Sequence, residues 1–203
     1  MSRLTTRYLG LELRTPLVAS AGPYTRTPES ALRLQEAGAS AIVMPSLFEE
    51  EVAREQDELS RALDQGSESF AEALNYFPAL TAVESTAERY LASVAEMKQR
   101  LDIPVIASLN GTSPGGWAYF AGEIEQAGAD ALELNLYRIA ADPAQTGAAV
   151  EERDVEVVRR VRQATRLPLA VKISPAYSAL ANHAVRLIEA GADGLVLFNR
   201  FYQ

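Results

Sequence analysis

Short apolar runs that alternate with amphipathic stretches along most of the chain predict an α/β fold of the (β/α)8 TIM-barrel type, with about six of the eight β/α units present. Three observations carry that prediction. One phrase recurs as QEAGASAIVM (35 to 44), EQAGADALEL (125 to 134) and EAGADGLVLF (189 to 198): a helix end, a glycine suited to close it, and an apolar run short enough for a buried strand. Strands apolar on both faces and separated by helices belong to parallel sheets with right-handed crossovers. No GxGxxG turn follows any of these strands, which favours a barrel over a dinucleotide-binding sheet.

The first strand is TPLVASA (15 to 21), within an opening hairpin stretch TTRYLGLELRTPLVASAG. The second, fourth and sixth strands are the apolar tails of the repeated phrase. The third and fifth lie in LDIPVIASL (101 to 109) and TRLPLAVKI (165 to 173), where proline ends the preceding helix and admits the strand. Helices are expected at about 28–37, 86–100, 115–127, 151–165 and 178–190. Residues 46–85 break the rhythm, and so long a connection at the C-terminal end of a strand is usually functional. Its acidic part, EEEVAREQDE, reads as a solvated helix face rather than an ion site. The whole of 1–203 is taken as one domain around this connection. No helix follows the sixth strand, so its open edge predicts either a missing C-terminal segment or completion by another chain, as in a homo-oligomer.

With 48% apolar residues the chain can bury a substantial core. No apolar run nears the roughly 20 residues a bilayer requires, and the N-terminus lacks a signal-peptide core, so a cytoplasmic location without membrane association is expected. The lack of cysteine excludes disulfides, thiolate metal sites and a cysteine base. A net charge of -8 disfavours nucleic acid as a partner. His183, the lone histidine, reads as an ordinary helix residue, and no metal site is expected.

In a barrel, chemistry gathers at the C-terminal strand ends. Those ends carry Ala19 and Ser20, Pro45 and Ser46, Ser108 and Asn110, Asn135, Lys172 and Ser174, and Asn199 and Arg200. Lys172, inside the apolar run LAVKIS, requires an anion: a salt bridge to a neighbouring strand, for instance to Glu133, or a ligand that carries or develops negative charge. Asn135 and Asn199 either pair with each other or meet a planar heterocycle with mixed donor and acceptor edges. NGTSPGGW (110 to 117) offers a weak anion-cradle signal before a helix, and Trp117 reads as packing.

At these residues the chain resembles the dihydroorotate dehydrogenase family, including the related pyrimidine-reducing domain of dihydropyrimidine dehydrogenase. The resemblance runs through TTRYLGLELRTPLVASAG, IPVIASLNG, GADALELN, LAVKIS and GLVLFN, nearly the whole chain. It implies an FMN-dependent barrel that moves hydride between flavin and a small dihydroorotate-like or pyrimidine-like substrate. It also implies a cofactor site of Ala19, Ser20, Ser108, Asn135 and Lys172, with the lysine stabilising the anionic reduced ring, and a substrate site of Asn75, Asn135 and Asn199. The chain departs from the pattern after Asn135: Arg138 stands where the family keeps the cysteine or serine that takes the substrate's proton, and Ala140 replaces a substrate-binding asparagine. Met44, followed by Pro45, stands where the family has a flavin-contacting lysine. An arginine cannot be that base; Tyr137 or Ser113 is the expected proton relay beside Lys172, and neither matches the family's base. Two alternatives follow: a catalytically retired flavin-binding barrel serving as a binding or partner subunit, and a flavin-free lyase or aldolase using Lys172 as a Schiff base.

Overall fold

The computed structural model describes residues 4–67, 85–110 and 114–199. An antiparallel hairpin, β1 (Thr6–Tyr8) and β2 (Leu11–Leu13), precedes six parallel strands: β3 (Val18–Ala19), β4 (Ala41–Phe48), β5 (Val105–Asn110), β6 (Ala131–Asn135), β7 (Leu169–Ile173) and β8 (Gly194–Leu197). Between them run α1 (Pro28–Glu36), α2 (Glu49–Ser67), α3 (Thr86–Arg100), α4 (Pro114–Gln126), α5 (Gly147–Ala164) and α6 (Leu180–Glu189). The strands pair strictly in chain order from β3 to β8. That order is a barrel's; a doubly wound sheet would reverse direction partway. The protein is a partial TIM barrel.

The recurring phrase works as one device used three times. Gly38, Gly128 and Gly191 hold φ of 107°, 91° and 115°, and in each case the glycine and the next residue donate to carbonyls of the last helical turn. Only glycine adopts such a backbone cheaply, so each helix ends there. The residue two further on then clamps the start of the preceding strand. Asp130 Oδ2 accepts from the Val105 N–H at 2.7 Å and from Lys98 Nζ at 2.7 Å, while Asp193 Oδ2 accepts from the Leu169 N–H at 2.8 Å. Ser40 does the same for the first strand, accepting from the Thr15 N–H at 2.9 Å. Repetition in the sequence is thus repetition of a helix stop coupled to a strand clamp.

Each strand divides its residues between two faces by its period of two. Ile42, Met44, Val105, Leu109, Leu132, Leu134, Val171 and Ile173 face the helices and pack with Val94, Met97, Ile124, Val158, Val161 and Leu187. Full burial of such side chains contributes about 1.5–3 kcal/mol each, so this layer dominates stability. The inner face is graded along the barrel axis. Ala41, Ala131 and Ala170 lie at the strand starts, and Leu9 and Leu13 of the hairpin pack against them as a floor. A side chain at Gly194 would meet Leu9, so the floor is sealed because the wall there is small. Larger and polar residues follow toward the mouth.

Two boundaries differ from the sequence reading. α5 begins at Gly147, four residues before the expected 151, because Thr146 caps it, its side chain accepting from the Ala149 N–H at 3.2 Å. α2 fills the first part of the long connection, with the acidic stretch on its first turns as expected. Among the described residues no helix is long and apolar enough to cross a membrane.

Candidate functional site

Above the floor the inner face turns polar. A cavity of about 420 Å³ lies within the barrel, walled by Val18, Val43 and Val196, with Tyr8 from the hairpin, Ser20 after β3, and Glu133 and Lys172 from adjacent strands. Glu133 and Lys172 form an ion pair at 3.6 Å, their side chains 6% and 19% exposed. Burial raises the Glu133 carboxyl above the usual carboxylate range, and the Lys172 charge opposes that rise. Burial together with the Glu133 charge pushes the Tyr8 phenol up to about 12, so Tyr8 presents a protonated hydroxyl.

At the mouth, Asn199 Nδ2 donates to Asn135 Oδ1 at 2.6 Å, joining the end of β6 to the second residue after β8. The two amides therefore satisfy each other in part, each keeping further donor or acceptor capacity. On the far side of this bridge is a second cavity, about 570 Å³, between the loops after β6 and β7. Tyr137, Arg138 and Ala140 line it, with Ser174, Tyr177, Asn199 and the first turns of α5. Tyr177 donates to Asp154 at 2.9 Å, and its ring lies 4.2 Å from that of His183. Burial, then the Asp154 charge, raises the Tyr177 phenol well above its ordinary value. His183 is fully buried on α6, neither ring nitrogen hydrogen-bonded among the described residues, with Nε2 at 3.7 Å from Asp154.

The expected site residues are therefore dispersed over two chambers. Lys172 and Ser20 line the barrel cavity, Asn135 and Asn199 form the bridge, and Tyr137 lines the loop cavity rather than the one holding Lys172. Ala19 faces the other way: its side chain packs into the helix-side core, so only its backbone is offered to the interior. Met44 likewise packs outward, on the same face as Ile42 by the strand's period of two, and the β4 register shifts just beyond it, between Val43 and Ser46. Ser108 is fully buried and shares a hydrogen bond of 2.8 Å with Ser46 across that bulge. The Tyr90 hydroxyl, from α3, accepts from the Ser108 N–H and donates to its carbonyl, taking up backbone groups beside the irregular pairing. Ser113 and Asn75 lie outside the described residues. The expected anion cradle before α4 is engaged on its described side, since the Glu49 carboxyl fills the space a side chain on Gly116 would need.

Sequence reasoning named neither Tyr8 nor the loop-cavity carboxylates Glu151 and Asp154. The signal for the carboxylates was their spacing of three within the apolar face of α5. Among the described residues no group of three or more His, Asp or Glu is arranged to hold a metal ion.

A protein-family model for dihydroorotate dehydrogenase matches residues 3–201. The catalytic subunit of dihydroorotate dehydrogenase B (NAD(+)) from Pyrococcus abyssi is 27% identical over 201 residues, covering 97% of this chain and 62% of that protein. Its counterpart from Desulforudis audaxviator is 28% identical over 200 residues, covering 94% and 60%. The chain thus spans about three fifths of the length of these relatives. Among solved structures, phosphoenolpyruvate phosphomutase from Streptomyces platensis subsp. rosaceus superposes with a TM-score of 0.52 at 15% identity, over 88% of this chain and 58% of that one. A phosphonopyruvate hydrolase gives 0.53 at 15% identity, over 88% and 56%. At that identity the likeness is one of fold. Matched over almost its whole length, the chain belongs to the dihydroorotate dehydrogenase family.

Proposed function

We propose that the protein is an FMN-dependent oxidoreductase, exchanging hydride with a small planar substrate of the dihydroorotate or pyrimidine type, and that the barrel cavity receives the flavin ring. One observation carries this reading: Lys172, a mostly buried ammonium on the wall of a largely apolar cavity, has among the described residues only a buried carboxylate of raised pKa as its ion-pair partner. The cavity's size suits a small cofactor, whose pockets run from about 300 to 1,000 Å³. Its chemistry suits one too, with valine walls for a flat ring, a serine hydroxyl, and a cation where negative charge would develop.

Bound there, FMN would supply the ring that accepts and returns hydride. The chain's own residues would do the rest. Lys172 would hold negative charge at the ring edge, and Glu133 would fix the ammonium against β6. Asn135 and Asn199, already bonded to each other, present the remaining amide groups toward the mouth, where a substrate with mixed donors and acceptors would be oriented. Val18, Val43 and Val196 would exclude water from the ring faces.

A second reading, a flavin-binding barrel without catalysis that serves as a partner subunit, is favoured by Arg138 and Ala140 on the loop after β6. Anaerobic stopped-flow mixing of the FMN-loaded, full-length protein with dihydroorotate separates the two. Rapid bleaching of the flavin is the expected result; an unchanged flavin spectrum with this and other dihydropyrimidines would favour the partner subunit. A Schiff-base lyase is less compatible with the geometry. Its amine would have to leave the ion pair and strand Glu133 as a buried, unpaired carboxylate.

A further inference from the structure

The hairpin that floors the barrel also sends a polar group into the cavity above it. Tyr8 ends β1 immediately before the turn residues Leu9 and Gly10, whose φ angles are 51° and 77°. Successive positive angles suit a two-residue hairpin turn, and a leucine accepts one only where its surroundings impose it. Leu9 is buried in the floor and Tyr8 pairs with Leu11 across the hairpin, so the turn fixes where the Tyr8 ring starts. The ring passes Gly194, its Cε2 3.9 Å from where a Cβ on that glycine would stand. Gly194 pairs with Ala170, and Ala170 with Glu133, so the ring stands at the rung of the ladder that also carries Glu133. Tyr8 and Glu133 line the same cavity, and the Glu133 charge contributes to the rise of the Tyr8 phenol.

Both groups have unused hydrogen-bonding capacity. Among the described residues the Tyr8 hydroxyl makes no hydrogen bond, and the Glu133 carboxylate, which can accept several, has only Lys172 at 3.6 Å. The other ionisable groups around Glu133 are engaged elsewhere: Arg7, on the cavity wall, donates to Glu12, and the Tyr90 hydroxyl is bonded to the Ser108 backbone. A ligand whose negative charge drew the Lys172 ammonium off would therefore leave Glu133 buried without a donor, unless Tyr8 supplied one. We propose that Tyr8 is a positioning residue for Lys172: when a ligand in the barrel cavity draws the ammonium away, the Tyr8 hydroxyl becomes the hydrogen-bond donor to Glu133. The proton stays on the phenol throughout, and only the partner of the carboxylate changes. Lys172 can then turn to the ligand without stranding a buried charge. The exchange rests on the proposed function only in taking flavin to be that ligand.

The test imitates withdrawal of the ammonium by Lys172→Met and asks whether Tyr8→Phe then matters more. Urea unfolding of the full-length protein is compared for wild type, the two single variants and the double variant, with sucrose in every sample to keep the less stable ones folded at the start. With Lys172 present, Tyr8→Phe removes a hydroxyl that has no partner and should change the unfolding equilibrium less than about three-fold. With Lys172→Met it removes the remaining donor to Glu133, and the change should reach at least about ten-fold near neutral pH. The hydroxyl favours the charged carboxylate, so this excess should shrink as pH falls through the range in which Glu133 takes up its proton. A phenol that only fills space would cost the same in both backgrounds and at every pH, and either result would overturn the proposal. FMN uptake, followed in the same proteins by flavin fluorescence, should be weakened at least about three-fold by Tyr8→Phe alone and left unchanged by it beside Lys172→Met. Equal weakening in both backgrounds, or none in either, would overturn the exchange. The excess in urea without FMN uptake by the wild type would remove the flavin reading and leave the exchange standing, and FMN uptake without the excess would do the reverse.

Discussion

The Glu133–Lys172 pair sets most of what single residues can test. A buried ion pair contributes little net stability, but removing one partner strands the other. Lys172→Met should therefore destabilise the protein by about 2–4 kcal/mol near neutral pH, while Glu133→Leu combined with Lys172→Met should recover much of that loss. The pH dependence has a definite sign. A carboxyl whose folded pKa lies above its unfolded value contributes stability at low pH that is lost as pH rises through the folded pKa. Lys172 is the influence that holds the Glu133 value down. Without it the value rises further, so the gap between Lys172→Met and wild type should widen as pH climbs from the ordinary carboxylate range toward neutrality. Urea unfolding across that range measures it; a constant gap would mean the two groups are not coupled. Asn135, an amide within a strand of apolar neighbours, is explained at the same scale by Asn199. That pairing was one of two readings open in the sequence, which could not rank them because the two residues are 64 apart in the chain.

At the scale of elements, the recurring phrase of glycine, alanine and then serine or aspartate is the most informative stretch, and it was legible because one short pattern encodes two adjoining structures. Nothing lies within 4 Å of where a Cβ on Gly128 would stand, so Gly128→Ala should cost about 1–2 kcal/mol from the left-handed backbone alone. Asp130→Ala removes the clamp on the Val105 N–H and the partner of Lys98, and should cost about 1–3 kcal/mol. Thermal unfolding of both variants checks these values; a neutral Asp130→Ala would show that the strand start is held by its ladder alone. The gradation of the inner face was harder to read. In ALELN the inward residues are Ala131, Glu133 and Asn135, running from small floor to charged wall to polar mouth. As a sequence it reads simply as an apolar run with an amide. The outward turn of Met44 and Ala19 also escaped sequence reading. Each follows the period of two, Met44 with Ile42 and Ala19 beside Ile42 in the ladder, and one residue of slip in assigning a strand's start is enough to exchange its faces.

At the scale of the whole molecule, six of a barrel's eight parallel strands pair in order, and the sheet shows an edge at β3 and another at β8. Leu197 on β8 and Val185 and Ile188 on α6 are 59%, 55% and 46% exposed. Such an edge and its apolar neighbours favour pairing with further chain. The 203-residue chain expressed alone should therefore self-associate in a concentration-dependent way in sedimentation experiments, and a monomer at all concentrations would show that these surfaces are tolerated in water. Fold and family were legible in the sequence because alternation, the repeated phrase and the ALELN and AVKIS stretches are all local. The division of the candidate site into a barrel cavity and a loop cavity was not, because it depends on which face each strand residue takes and on contacts between distant loops.

In the proposed function Lys172 faces a flavin ring in the barrel cavity. Titrating FMN into the full-length protein and its Lys172→Met variant, with flavin fluorescence as the readout, tests it most directly. Saturable uptake of one FMN per chain, weakened at least about ten-fold in the variant, is expected. No uptake by the wild-type protein, or uptake of equal strength in both, would contradict it.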